Sequence, residues 1–263
     1  MKAVIRYKGG KGSGFRGHAG RPGFVGGSAS GGLNIDNLPV ETVKVGNTFI
    51  VPVNLVGHSV SPGTFRNVVR IFDTYPDWMK SDVKSIELRT EIGYNFTAGG
   101  NNFQSGANYN NGNIKLFDSE LYISNVNVSQ YLDHEVGHAI ADKWWRDANH
   151  EEGEAYDLHP EWFEKHTGML LPEYANNLPL TTAQDKFLGA WKAGEDGISD
   201  YSKAWAKEGK WSETIAEMTN LYNMLGTTAN KRRAFKDACV GAGTLADAYL
   251  AMVDYYESQE KGK

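Results

Sequence analysis

The spacing of apolar residues predicts strands in the first half of the chain. ETVKVGNTFIVPVNLV, residues 41–56, holds two apolar-rich runs around a Gly-Asn pair, which predicts two strands joined by a turn. KSIELRTEIGYNF, residues 84–96, alternates apolar and polar positions, as a strand with one buried face does. NIKLFDSELYI, residues 113–123, predicts a further strand, and the Gly/Asn-rich residues 97–112 before it are interpreted as a connection.

Helical patterns lie between these strands and dominate after them. Residues 64–79 carry apolar side chains mostly at helical spacing. Residues 127–148, NVSQYLDHEVGHAIADKWWRDA, form a long helical pattern in which Asn127 and Gln130 are a candidate capping pair. Strands followed by helices predict an α+β fold. The later helical patterns, after a mixed stretch of loop and short helices from 150 to 180, are residues 181–197, 211–225, 228–241 and 244–259.

The first 35 residues differ in composition from the rest of the chain. Residues 8–32 hold 11 of the 30 glycines, and they offer too little apolar surface to offset the entropy that ordering would cost. The sequence therefore predicts a flexible, basic, Gly-rich tail over residues 1–35 and one domain over residues 36–263.

Charge is also divided at this boundary. Residues 1–35 contain six Lys and Arg and no acidic residue, so within a net charge of −5 the remaining residues carry −11. A basic tail on an acidic body indicates contact with an acidic partner, although a tail that only aids solubility fits equally well. Nucleic acid is not expected as a partner of residues 36–263. The segment GHAGRPGFVGGS, residues 17–28, resembles a stretch in head and structural proteins of tailed phages, which suggests a phage particle as another partner.

Cysteine content and hydropathy exclude several classes of protein. Cys239 is the only cysteine, so neither an intramolecular disulfide nor a cysteine zinc cluster is expected. No stretch approaches the roughly 20 apolar residues that span a bilayer. The first ten residues contain too short an apolar run for a secretory signal. The expected location is the bacterial cytoplasm or a phage virion.

The segment LDHEVGHAIADKWW, residues 132–145, carries the candidate chemistry. His134 and His138 are four residues apart and share one face of a helix, so both imidazoles can bind one Zn²⁺ ion. Glu135 is rotated by about 100° from His134 and lies near a water on the metal, whose proton it can take. This HExxH arrangement is typical of zinc metallopeptidases.

A catalytic zinc site needs a third protein ligand, and several candidates exist. In the longer metzincin motif the glycine and third histidine would fall at Ala141 and Trp144, which excludes that class. Glu154 and Glu161 lie at about the distance used by thermolysin-like enzymes, but no matching frame surrounds them. Glu213 and Glu217 are four apart on a predicted helix, bordering its apolar face, from which carboxylates can meet the first helix.

The order of these motifs resembles the anthrax lethal factor-like metallopeptidases, a gluzincin family that includes the Pro-Pro endopeptidases. Those proteins have a HExGHAxxD helix, then a tyrosine and an E-x-x-A-E helix, and the chain matches this from about residue 110 to 225. The resemblance implies a zincin-like domain with a small mixed sheet and one Zn²⁺ per chain. It implies Glu213 as third ligand, Glu217 as a carboxylate that orients a ligand histidine, and Tyr201 as a donor to the oxyanion. The separation of Tyr201 from Glu213 is several residues longer than in the family.

The same resemblance suggests how a protein or peptide substrate is held. The strand before the active-site helix, with Asn113, Ile114, Lys115 and Leu116, would be an edge strand that pairs with an extended peptide. The leading hypothesis is a zinc-dependent endopeptidase in which Glu135 activates water. The alternative is a structural or packaging protein of a phage particle with a structural or degenerate zinc site. A toxin that cleaves a host protein would share the chemistry of the first hypothesis.

Overall fold

The computed structural model describes residues 2–5, 34–91, 93, 95–98, 100–117, 125–149, 178–195, 198–226 and 230–262. Within these residues, seven strands and eight α-helices confirm the α+β class and the mostly helical second half. The strands are β1 Lys2–Ile5, β2 Val43–Val45, β3 Thr48–Val53, β4 Ser85–Arg89, β5 Asn95–Ala98, β6 Asn101–Asn110 and β7 Asn113–Phe117. The helices are α1 Pro62–Asp73, α2 Asp77–Lys80, α3 Asn125–Asn149, α4 Leu178–Lys192, α5 Asp200–Ala206, α6 Trp211–Met224, α7 Lys231–Ala238 and α8 Gly243–Lys261.

The strands form one mixed sheet. Their order is β1-β6-β7-β4-β3-β2, with β5 paired to β6. β3, β4 and β7 run parallel, whereas β2, β6 and β1 pair antiparallel with their neighbours. The connection from β3 to β4 contains α1, as a crossover between parallel strands requires. The two-strand prediction for residues 41–56 is confirmed by β2 and β3, with Gly46 at the turn in the left-handed region at φ 59°.

Alternation in the central strands matches the burial of their side chains. Ile86 and Leu88 of β4 are buried and lie in register with Ile114 and Leu116 of β7. Residues two apart in a strand point to the same face, so these four side chains share one side of the sheet. They belong to the same apolar core as the buried side of α3, and this packing fixes the position of α3 against the sheet.

The prediction of β7 as a substrate-binding edge strand is wrong. β7 pairs with β4 on one side and with β6 on the other, and both pairings include Asn113, Ile114, Lys115 and Leu116. The backbone groups along both sides of β7 therefore take part in the sheet, and a peptide cannot add to either side.

β6 is a strand that the sequence pattern missed. Its ten residues lie inside the Gly/Asn-rich stretch that was interpreted as a connection. Asn and Gly have low strand propensity, but pairing with β7 on one side and β1 on the other stabilises the strand. Gly106 also permits a close approach to α3, because a Cβ atom there would lie 2.5 Å from the Tyr131 ring.

Part of the predicted flexible tail is ordered. Residues Lys2–Ile5 form β1, which pairs antiparallel with Ser105–Tyr109 of β6. Backbone pairing with a strand distant in sequence supplies the order that local composition does not indicate. Residues 6–33 lie outside the described residues, so flexibility of that part of the tail stays a prediction, as does the domain boundary at residue 36.

Most of the helices follow the sequence patterns, but the pattern over residues 64–79 is divided between α1 and α2, and α5 was not predicted. The side chain of Ser61 caps α1 by accepting a 3.1 Å hydrogen bond from the backbone N–H of Thr64. α3 begins at Asn125, so Asn127 lies inside the helix and the predicted cap with Gln130 is wrong. No helix in the described part of the chain is long and apolar enough to cross a membrane.

Candidate metal centre

Two helices distant in sequence, α3 and α6, come into close contact at the candidate site. At Gly137 of α3, a Cβ atom would lie 2.6 Å from Cα of Ala216 and 3.0 Å from Cβ of Thr219. Real Cβ atoms do not approach backbone atoms so closely, so only glycine allows this helix separation. The contact places the HExxH turn of α3 beside the first turns of α6.

His134 and His138 lie one turn apart on the face of α3 that meets α6. Both side chains are fully buried. Their ring centroids are 4.9 Å apart, and the ring planes meet at 77°. This is the arrangement that the i, i+4 spacing predicts, with two imidazoles directed to a common region.

Glu213, in the first turn of α6, completes a group of three potential metal ligands. Its Oε2 atom lies 3.2 Å from His134 Nε2 and 3.4 Å from His138 Nε2. Two tetrahedral zinc ligands with bonds of roughly 2.05 Å are about 3.3 Å apart, whereas a charge-assisted hydrogen bond is nearer 2.8 Å. All three ligand atoms lie within 4.8 Å of one another. The buried group of His134, His138 and Glu213 can therefore hold a metal ion.

Glu217, one turn after Glu213, contacts the other nitrogen of His134. Its Oε1 atom lies 2.7 Å from His134 Nδ1, which is the length of a strong hydrogen bond. When the ring is neutral and Nδ1–H donates to Glu217, the lone pair of Nε2 is directed toward Glu213 and His138. The two carboxylates of α6 therefore contact different nitrogens of the same ring, Glu217 at Nδ1 and Glu213 at Nε2.

The charges at the site oppose the effect of burial. Burial alone lowers the pKa of His134, but hydrogen bonds and charge interactions with Glu213 and Glu217 raise this pKa to about 10. Burial also disfavours the charged form of Glu213 and so raises its pKa. The charge of His138 and hydrogen bonds from both histidines outweigh this effect and bring the pKa of Glu213 well below its usual range. The carboxylates of Glu213 and Glu217 thus favour the charged form of the His134 imidazole, and acidic groups in this position also suit a divalent cation.

Glu135 and Tyr201 are buried at the same site. Glu135 follows His134 on α3 and is fully buried, and Tyr201 of α5 is 2% exposed. The ring centroid of Tyr201 lies 5.7 Å from that of His134. Burial and the charges of Glu213, Glu217 and Glu135 raise the pKa of Tyr201 well above its usual value. Its hydroxyl is therefore a protonated donor at neutral pH, in electrostatic contact with all three carboxylates.

Tyr109 on β6 is a neighbour of the site that the sequence pattern did not indicate. Its ring is stacked against His138 at a centroid distance of 6.1 Å, and its hydroxyl donates a 2.6 Å hydrogen bond to Asp142 Oδ2. Asp142 is buried one turn beyond His138, so the contact fixes α3 against β6. The only sequence signal was Asp142 itself, a carboxylate on the buried face of the HExxH helix.

Some predicted site residues are not part of this group. Asn113, Ile114, Lys115 and Leu116 lie in the interior of the sheet as β7. The alternative third ligands Glu154 and Glu161 lie outside the described residues, so no structural comparison with Glu213 is possible for them.

Comparison of the chain with protein-family models, with curated proteins and with solved structures found no match. The class of protein is therefore defined by its fold and site alone: an α+β domain with a buried group of two histidines and one glutamate between two helices.

Proposed function

We propose that the protein is a zinc-dependent endopeptidase that cleaves a protein or peptide substrate. The observation that carries this proposal is the separation of 3.2 and 3.4 Å between the Glu213 carboxylate and the two histidine nitrogens. Two imidazoles and one carboxylate are the protein ligands of many catalytic zinc ions, with a fourth position left for water or substrate. The family resemblance of the HExxH helix, Tyr201 and the Glu213–Glu217 helix supports a zincin-like domain.

Each residue of the site has a role in this proposal. Zinc, when bound, lowers the pKa of water and polarises the scissile carbonyl. Glu135 accepts the proton of the attacking water and returns it to the leaving amine. The Tyr201 hydroxyl donates a hydrogen bond to the oxygen that becomes negative in the transition state. Glu217 holds the ring of His134 through Nδ1.

The role of Glu135 can be tested with an isosteric change. Glu135→Gln keeps the volume and burial of the side chain but removes its basicity, so cleavage should fall by a factor of about 10² to 10⁴. Cleavage is followed by mass spectrometry on a library of unstructured peptides, and zinc content by elemental analysis after dialysis. We expect about one zinc per chain in both proteins, because Glu135 is not one of the three ligands.

Glu213→Gln is the matched control, since it makes the same chemical change at a ligand. This variant should lose both zinc and cleavage. Wild-type cleavage rates in the Glu135→Gln variant would disprove the proposed mechanism.

A structural role for the metal is the second candidate, and complete burial of the site favours it. His134, His138, Glu135 and Glu213 are at most 1% exposed, as in metal sites that only stabilise a fold. Such a site would suit the structural phage protein considered as the alternative. Tight zinc binding without cleavage by the wild-type chain would favour this candidate. The same result in variants whose β1 pairs less strongly with β6 would support it further.

A further inference from the structure

The N-terminal strand occupies a position beside the metal centre. Residues 107–109 of β6 pair with β7 and also with β1. Because a strand pairs with one neighbour on each side, β1 covers the side of β6 that faces away from β7. Without β1, this segment of β6 would present a row of unpaired N–H and C=O groups.

This part of β6 lies directly against the helix of the metal centre. Tyr109 pairs with Lys2 of β1 through its backbone, and its side chain stacks on His138. Gly106 of the same strand packs on the ring of Tyr131 in α3. β1 itself contacts α3. A chain segment paired with residues 105–109 therefore lies beside the strand that contacts His138, and against α3 itself.

The centre is closed in this arrangement. Glu135, whose carboxylate must reach the scissile bond, is fully buried, and Tyr201 is 2% exposed. Tyr201 and Trp205 of α5 also pack with Ala98 and Phe96 of β5. A peptide cannot reach Glu135 until some of the residues that surround it move.

A strand that closes the edge of a sheet uses the same interactions as a bound extended peptide. Both add to the sheet by backbone hydrogen bonds and require little of the side chains for affinity. β1 is only four residues long and is followed by a stretch with 11 glycines between residues 8 and 32. Release of so short a strand leaves the other strand pairs of the sheet in place, since among the described strands β1 pairs only with β6.

We propose that β1 is an intramolecular inhibitor that competes with the substrate for the side of β6 that faces away from β7. This inference rests on the proposed peptidase function. The pairing of Lys2–Ile5 with Ser105–Tyr109 holds the closed state, and an extended peptide displaces β1 and takes its place as an antiparallel strand. The segment that regulates the site is thus a piece of the chain itself.

The test uses the full chain with a pair of proline variants, Ala3→Pro and Val4→Pro. Neighbouring residues in a strand direct their N–H groups to opposite sides, so one of these two groups faces β6 and the other faces away. Proline removes the N–H in both cases but breaks the pairing with β6 in only one. Each variant is thus the control for the other. We expect one variant to gain roughly fivefold in kcat/KM, mostly through a lower KM, and the other to stay close to wild type.

A synthetic peptide with the sequence MKAVIRYK provides the second measurement. Added to the more active variant, it should inhibit cleavage competitively by raising the apparent KM while leaving kcat unchanged. Zinc content of about one per chain in all proteins shows that the fold and the metal site are intact.

The outcomes separate the two proposals. Equal cleavage by wild type and both proline variants, with zinc bound, would overturn the inhibitory role and leave the peptidase function standing. A peptide MKAVIRYK that does not inhibit would overturn it as well. Absence of cleavage by all three zinc-loaded proteins would instead overturn the peptidase function, and with it the inhibition of that function.

Discussion

His134 meets one carboxylate through each ring nitrogen, and the two contacts differ in length. Nδ1 lies 2.7 Å from Glu217, whereas Nε2 lies 3.2 Å from Glu213. Both lie within hydrogen-bond distance, but only the longer one also matches the separation of two ligands around a metal ion. At the scale of single residues, this difference distinguishes a glutamate placed to bind a metal ion from a glutamate placed to orient a ligand histidine.

The first prediction at this scale concerns Glu217. Glu217→Gln keeps a hydrogen-bond acceptor near Nδ1 but removes the negative charge, so zinc affinity should fall by about 10- to 100-fold. The dissociation constant is measured by competition with a chelator of known affinity. Glu213→Gln should lose far more affinity because it replaces a ligand. Equal losses in the two variants would contradict the assignment of different roles.

The second prediction concerns the pH dependence of zinc uptake. The pKa of His134 in the metal-free protein is raised to about 10, so the ring is protonated at neutral pH and must lose a proton before Nε2 can bind zinc. From about pH 7 to 9, the apparent dissociation constant should therefore fall roughly tenfold per pH unit, and the gain should end above the pKa. Competition titrations in chelator-buffered zinc measure this slope. An affinity independent of pH over this window would show that His134 is already neutral.

The position of the ligands depends on how two helices pack. α3 carries both histidines and α6 carries Glu213, and their separation is set at Gly137, where a side chain would collide with Ala216. The helices themselves are predictable from apolar spacing, but the distance between them is a property of the pair.

The prediction at the scale of elements concerns a substitution that increases the distance between α3 and α6. Gly137→Ala should lower the free energy of unfolding by about 1–3 kcal/mol through overpacking and should also weaken zinc binding, because Glu213 moves away from the histidines. Thermal unfolding and chelator competition measure the two effects.

Gly189→Ala on α4 is the matched control. No heavy atom lies within 4 Å of a Cβ added there, so the change should stabilise the helix by roughly 0.5–1 kcal/mol and leave zinc affinity unchanged. Similar behaviour of the two alanine variants would show that the α3–α6 contact does not determine the site.

For the whole molecule, the metal centre joins parts of the chain that fold into different layers. His134 and His138 belong to the helix packed on the sheet, and Glu213 lies 75 residues after His138 in the helical half. A ligand that binds only when these parts are assembled stabilises the entire fold.

Zinc should therefore raise the unfolding temperature of the whole domain. At a free zinc concentration about a thousand times the dissociation constant, stabilisation of about 4 kcal/mol corresponds to roughly 10 °C. Differential scanning calorimetry with and without zinc measures the shift. Glu213→Gln should remove it, and a shift of the same size in that variant would place the zinc elsewhere.

The sequence alone determined those features that depend on neighbours along the chain. Apolar periodicity predicted α1, α3 and α6, as well as strands β3 and β4, because each period is a property of local backbone geometry. The i, i+4 spacing of His134 and His138 fixed their shared face for the same reason.

The tertiary structure decided what depends on contacts between distant segments. It decided that β6 and β1 are strands and that β7 lies inside the sheet, since strand pairing uses backbone groups that every sequence has. It also decided the distances of Glu213 and Glu217 from His134. Those distances follow from the packing of α3 on α6 at Gly137. The separation of two helices depends on the side-chain volumes at their contact, and these volumes do not follow the apolar periodicity of either helix.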